Sequence, residues 1–228
     1  LNNETVIGLS RSDKVIIIVF PPIIGALIGW FIPTIAGWLI KIPFIPLEKL
    51  FQWLASLDGF LVSIIGLAIG VIAGILFTMY AFAETLKVTV SDFNVKLLIK
   101  DRVEIFEKKD IATVFMRGKQ LIILGVDGME LYRAECESKK EVVEEAFTHH
   151  GYSWSNKDPF ENQYYRWVDD HPDFTTHINT LLSVRERALK KGESDEAEVL
   201  RRDLSHLGIV IHDKDERQYV RMARGDDK

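Results

Sequence analysis

The sequence predicts an apolar α-helical hairpin suited to a membrane, followed by an α+β part: short successive strands capped by a helix, then a small helical module ending in a β-hairpin. Three patterns predict it. Residues 15–40 and 59–83 run without a formal charge. From Leu86 apolar and polar residues alternate, the period of a half-buried strand. After Pro172 the apolar residues recur at helical spacing until Ile209-Val210-Ile211 restores a strand pattern.

The mean hydropathy of +0.06 averages two unlike parts. Residues 1–84 carry 4 basic and 5 acidic side chains, residues 85–151 carry 11 and 12, and residues 152–228 carry 13 and 16. No segment has a basic excess, so net charge does not point to nucleic acid or to an anionic surface, although local patches can depart from the total. The single cysteine, Cys136, rules out an intramolecular disulfide and a metal cluster of the usual Cys/His spacing. A lone thiol fits a reducing compartment.

Each uncharged run exceeds the ~20 residues that cross a hydrocarbon core, and the first is too long for a signal peptide and is followed by a second. We expect an N-terminal tail over 1–14 and two spans within 15–84. Pro21, Pro22 and Pro33 interrupt the first span, with a kink expected near Pro33 because proline removes a donor from the helix ladder. Leu47, Leu50, Phe51, Leu54 and Leu57 form a stripe at helical spacing, which predicts an amphipathic helix in the membrane interface over about 46–58; a plain re-entrant loop is the alternative. Gly66, Gly70 and Gly74 give two overlapping GxxxG units, Gly25 and Gly29 give another, and Gly37 continues roughly that face. Glycines so spaced let helix backbones approach closely. They fit packing of the two spans on each other, homo-oligomerisation through the glycine faces, or a glycine-lined pore, in that order of preference. No ionisable residue interrupts either run, as a proton or ion pathway would require. Two spans place both termini on one side, and the Lys/Arg tally leans towards a cytoplasmic side.

Strands are expected over 86–90, 95–99, 103–106, 111–116, 121–126 and 129–134, with Asp127-Gly128 as a hairpin turn. Ser138 and Glu141 mark a helix start, Val142, Val143, Ala146 and Phe147 its apolar face, and Gly151 its end. Short successive strands closed by one C-terminal helix over about 85–154, with Lys108-Lys109-Asp110-Ile111-Ala112-Thr113-Val114 leading into a mid-sheet strand, resemble the bacterial pleckstrin-homology-like domains. That resemblance implies a β-barrel or sandwich capped and plugged by the helix, and a range of functions from headgroup binding to protein docking. Lys96, Lys100, Arg102, Lys108 and Lys109 are interspersed with Glu104, Glu107 and Asp110, which reads as a solvated mixed-charge surface rather than a headgroup pocket.

Residues 155–171 have a linker-like composition, with a short helix over 161–168. A helix is expected from Pro172 to about Lys191, ended by Gly192, and a second from Ser194 to Gly208, each with a periodic apolar face. Arg185, Ala188-Leu189, Glu196-Ala197, Leu200-Arg201, Leu204, Leu207-Gly208-Ile209-Val210 and Arg217-Gln218-Tyr219-Val220-Arg221 resemble the C-terminal tail of cysteinyl-tRNA synthetases over 172–221. In those enzymes the tail helps bind the anticodon region of tRNA. Here Tyr219 stands where tryptophan is expected, and the nucleotide-binding motifs of the catalytic domain are absent, which excludes aminoacylation. Two spans, a pleckstrin-like domain and a synthetase-tail-like module in this order resemble the bacterial YqeB-like family of membrane proteins. The resemblance implies this architecture, in a multi-pass protein of the bacterial cell membrane, but no established activity; the residues themselves put the module boundaries at about 85–154 and 172–224.

The remaining chemistry-bearing residues have bland explanations. His149-His150 complements a helix C-terminus, Asp169-Asp170-His171 has no partner cluster for a metal, and Asp213-Lys214-Asp215-Glu216 lacks the glycine of a calcium loop. No P-loop, dinucleotide fingerprint, nucleophile elbow or HExxH is present. No cofactor, catalytic residue or metal ligand is expected. The leading expectation is a membrane-anchored scaffold or adaptor whose partners are the lipid bilayer and membrane-proximal proteins. The alternative is a membrane-tethered RNA-binding protein using Arg185, Arg187, Lys190, Lys191, Arg201, Arg202 and Tyr219, set against local pairing of these cations with Glu186, Glu198 and Asp203.

Overall fold

The computed structural model describes residues 4–39, 58–100, 102–214 and 217–223. The chain divides into two compact units, one built around the apolar helices and one around the sheets.

In the helical unit, α1 (Arg11–Trp30) starts where the Ser10 hydroxyl accepts the Asp13 N–H at 3.2 Å. It stops at Phe31, and α2 (Ile32–Leu39) continues the chain. The break expected near Pro33 thus falls two residues earlier, at a residue whose N–H still reaches Leu27 at 3.2 Å. Pro21 and Pro22 lie inside α1. Pro21 brings no N–H to the Ile17 carbonyl, and Thr78 from α3 (Gly59–Glu84) donates its hydroxyl there at 2.9 Å, so the gap in the ladder is filled from the neighbouring helix. Asp58 caps α3 through the Phe60 N–H at 3.0 Å. Both α1 and α3 are long and apolar enough to cross a membrane. The expected interfacial helix, with Leu47, Leu50, Phe51, Leu54 and Leu57, lies outside the described residues, as do the surroundings of Gly37.

The second unit opens with a strand that the sequence reading missed. Residues 1–14 were expected as a tail, yet β1 (Glu4–Ile7) pairs antiparallel with β2 (Lys87–Ser91), from Glu4 opposite Ser91 to Ile7 opposite Val88. Four residues are too few to display a period, but Ile7, 1% exposed, anchors the strand in the core. The sheet runs β1-β2-β3-β4, with β3 Asn94–Ile99 and β4 Arg102–Glu107. A second, antiparallel sheet holds β5 (Ile111–Arg117), β6 (Gln120–Gly125) and β7 (Glu130–Glu135). α4 (Lys140–His149) buries Val143, Ala146 and Phe147. Its N-cap is Lys139 rather than the expected Ser138, with no side-chain cap bond, and Gly151, at φ +68, ends it. The chain then covers the free edge of β5: Val114 donates to Ser153 and accepts from Ser155, both at 2.9 Å, which blunts an open strand edge.

Residues 155–171 pack rather than link, and the short helix expected over 161–168 is confined to three residues. A 3₁₀ turn over Glu161–Gln163 leads into β8 (Tyr165–Arg166), which pairs with β10 (Arg217–Met222), and Trp167 is buried. The aromatic residues here have more apolar surface to gain by packing than a linker retains. α5 (Thr176–Lys191) starts after Thr175, four positions later than Pro172 suggested, and ends at Gly192 in the left-handed region. α6 (Ser194–His206) follows, and β9 (Ile209–Lys214) pairs antiparallel with β10 in a sheet of order β8-β10-β9. Trp167, Phe174, Leu182, Leu204, Ile209, Ile211 and Val220 form the core of this module.

Candidate functional site

Two places bring chemistry-bearing residues together: the glycine seam of the helix pair, and the junction between the two sheet-containing modules.

In the seam, α1 and α3 run antiparallel with Gly25 against Gly70, Gly29 against Gly66, and Gly74 against Pro21 and Pro22. A Cβ added at any of these glycines would collide with backbone of the other helix, so the two faces fill each other within one chain. An apolar groove of about 460 Å³ runs alongside, walled by Phe20, Ile24, Ile28, Ile69 and Phe77.

The junction is built on β6. Leu121, Ile122, Ile123 and Leu124 are all 1% exposed or less, so β6 is buried on both faces, the condition that replaces alternation with a continuous apolar run. Phe115, Ile122 and Leu124 form a cluster of their own, with Phe160 packed on it. Around this cluster the modules are joined by arginines. Glu130 of β7 accepts from Arg133 of its own strand and from Arg201 of α6. Arg133 also donates to the Ile211 carbonyl at 2.7 Å. Arg201 forks onto Glu198 at 2.8 and 2.6 Å. Arg117 pairs with Asp158, and Arg221 donates to the Gly128 carbonyl at 2.7 Å while lying 4.2 Å over the Phe160 ring. Both Arg117 and Arg221 face Tyr164.

Burial sets the electrostatics here. Desolvation lowers the Arg133 pKa, against the pull of Glu130. Burial pushes Glu198 up, but the Arg201 hydrogen bond and the Arg201 and Arg202 charges hold it below the usual carboxylate range. Burial, then Arg117 and Arg133, lower His212. Desolvation pushes Tyr132 up to about 12. A polar cleft of about 250 Å³, lined by Glu104, Tyr132, Arg133, Arg202, Ser205 and His206, opens beside the network.

The residues singled out for RNA or partner contact do not form one face. Arg185 is 2% exposed, with its guanidinium on Asp213 at 2.7 Å, Gln218 at 2.8 Å and the Ala197 carbonyl at 3.0 Å. Arg201 is engaged at the junction. Arg187, Lys190, Lys191 and Arg202 are exposed. Lys190 reaches Glu186 at 3.0 Å, Lys191 reaches Glu193 at 4.0 Å, and Arg202 reaches Glu198 at 3.5 Å. Tyr219 is half-buried in β10. His150, expected only to complement a helix end, is buried with Nδ1 2.6 Å from Asp92 and Nε2 2.9 Å from Thr5, tying α4 to β1. Sequence reasoning also missed Glu130, Arg133, Arg117 and Arg221. The unbroken apolar run at 121–124 is the signal that something covers the second face of the sheet.

Comparison with known proteins agrees with this architecture. The model of the YqeB-like bacterial PH domain matches residues 5–155, a range that includes all of β1 but Glu4 and both long apolar helices. The uncharacterized protein YqeB of Bacillus subtilis (strain 168) is 39% identical over 222 residues, covering 97% of this chain and 92% of that protein. The chain belongs to the YqeB-like family. Within this YqeB-like chain, the model of the cysteinyl-tRNA ligase anticodon binding domain matches residues 171–221, from the turn before α5 to β10. Neither matched model describes an enzymatic domain. No solved structure matches.

Proposed function

We propose that this YqeB-like protein is a non-catalytic adaptor anchored in the bacterial cell membrane by α1 and α3, holding its two sheet-containing modules at the cytoplasmic surface for membrane-proximal protein partners. The observation that carries the reading is the pairing of β1 with β2. These strands flank the apolar helices in the sequence and share one sheet, so a helix pair that spans twice must begin and end on the same side. Only 6% and 17% of the most apolar stretches of α1 and α3 are buried within the chain, whereas core helices of a water-soluble domain are covered. Exposed apolar surface on this scale calls for lipid or partner cover. Anchoring raises the effective concentration of the modules for partners confined to the same surface.

Membranes washed with alkaline carbonate should retain the full-length chain, and a protease should reach its C-terminal module in inside-out vesicles but not in intact spheroplasts. The opposite protection pattern would reverse the assigned side. In-cell crosslinking with mass spectrometry should then recover specific membrane-proximal proteins; recovery of none across several crosslinkers would count against an adaptor.

The match of residues 171–221 to an anticodon binding domain favours a second reading, RNA binding at the membrane through Arg187, Lys190, Lys191, Arg202 and Tyr219. Binding of tRNA by the full chain should weaken steeply with salt if these cations contact phosphates, and a flat, undetectable response would remove this reading.

A further inference from the structure

We propose that the end of the helix pair where α1 begins and α3 ends is a binding site for the phosphate groups of anionic phospholipids. The inference rests on the membrane reading above. The contacts Gly66 to Gly29, Gly70 to Gly25, Gly74 to Pro21 and Thr78 to Ile17 follow one antiparallel register. Its continuation brings Arg11 and Lys14 to the last turn of α3, and a Cβ on Gly8 would stand 3.8 Å from the Leu86 carbonyl oxygen. The turn between β3 and β4 is fastened to the same end. Lys100, at φ +48, donates its backbone N–H to the Ala83 carbonyl at 3.0 Å and sets its ammonium 2.8 Å from Glu84. The bond satisfies one of the orphan carbonyls at a helix C-terminus, and it holds Arg102, two residues on, at this end.

Five cations therefore gather here: Arg11, Lys14, Lys87, Lys100 and Arg102. Among the described residues of this end the carboxylates are Asp13 and Glu84. Glu84 is engaged by Lys100, and Asp13 by the Ser10 hydroxyl at 2.6 Å. Arg11, Lys14, Lys87 and Arg102 are exposed and have no ion pair among the described residues. Of the exposed cations of α5 and α6, Lys190, Lys191 and Arg202 each have a glutamate, and Arg187 turns back onto Ser183. At 26 residues, α3 is about 39 Å long, more than the ~30 Å of a hydrocarbon core. A positive collar at the end of such a shaft falls in the phosphate layer, where basic side chains are attracted to anionic lipids.

The test is native mass spectrometry of the full-length chain released from bilayers containing equal phosphatidylglycerol and phosphatidylcholine. The wild type should retain phosphatidylglycerol several-fold over phosphatidylcholine. The variant R11Q/K14Q/K87Q/R102Q should approach parity, with each cation contributing at most about fivefold. The charge-preserving R11K/R102K and, in the sheet-containing unit, K139Q/K157Q/K214Q should keep the preference. Absence of a wild-type preference, its survival in the fourfold variant, an equal loss in K139Q/K157Q/K214Q, or its abolition by excess inorganic phosphate would each overturn the lipid site. A chain that stays embedded against alkaline carbonate but shows no preference overturns this site alone; a chain washed out overturns the membrane reading as well.

Discussion

Glu130 decides how the two modules are joined. Its side chain is 2% exposed, and its two partners, Arg133 and Arg201, are 7% and 8% exposed. Removing one member of a buried ion pair leaves charge without compensation, which costs about 3–5 kcal/mol. Glu130→Gln should therefore lower the stability of the full chain by that order, read as a shift in the denaturant midpoint. Glu198→Gln acts at a carboxylate 42% exposed to solvent and should cost within about 1 kcal/mol; equal effects of the two changes would mean that Glu130 holds nothing special. His212 provides a pH dependence at the same place. Burial and the nearby Arg117 and Arg133 hold its folded-state pKa below the ordinary value, so the unfolded chain binds the proton more readily. Stability is full above the unfolded pKa of about 6.5 and falls as pH drops through that value towards the folded one. His212→Gln should flatten this part of the profile, and an unchanged slope would assign it elsewhere. None of these roles is visible in the sequence, because Glu130 and Arg133 look like the polar positions of an ordinary amphipathic strand.

At the scale of elements, the helix pair depends on backbone contact. Gly70→Leu places a side chain against the Gly25 carbonyl, while Gly59 has open space around its Cβ position. Gly70→Leu should separate α1 from α3 and abolish a disulfide engineered across the pair, whereas Gly59→Ala should leave it intact; equal crosslinking in both variants would place the contact elsewhere. Thr78→Val removes the donor to the Ile17 carbonyl and should cost roughly 0.6 kcal/mol, the average for interhelical hydrogen bonds in membranes, measured by the same crosslinking against temperature. These elements were legible because apolar length and small-residue spacing are properties of a single segment. β1 and β8 were not. Four and two residues carry no periodicity, and each is a strand only because β2 or β10 lies beside it.

For the whole molecule, the connected segment at 155–164 changes what counts as a domain. A chain cut after residue 155 loses Phe160, which packs on Phe115, Ile122 and Leu124, and it loses Asp158, which pairs with Arg117, and the Ile211 carbonyl that Arg133 reaches. Embedded in the same bilayer, such a fragment should lose hydrogen-exchange protection along β6, while the chain through residue 223 should keep it. Equal protection in the two chains would show that the second face of the β5-β6-β7 sheet needs no cover.

By itself the sequence determined the two apolar helices, the succession of strands over 87–135, the closing helix and the order of the last module, since hydrophobic period, glycine stops and turn residues act over a few positions. Only the tertiary structure decided that the first strand precedes the apolar helices yet belongs to the sheet after them, that Arg185 and Arg201 are interior anchors, and that residues 155–171 are packed rather than linking. Those outcomes depend on which distant surface arrives to bury a side chain, and a guanidinium reads the same in the sequence whether it meets water or a carboxylate 71 positions away.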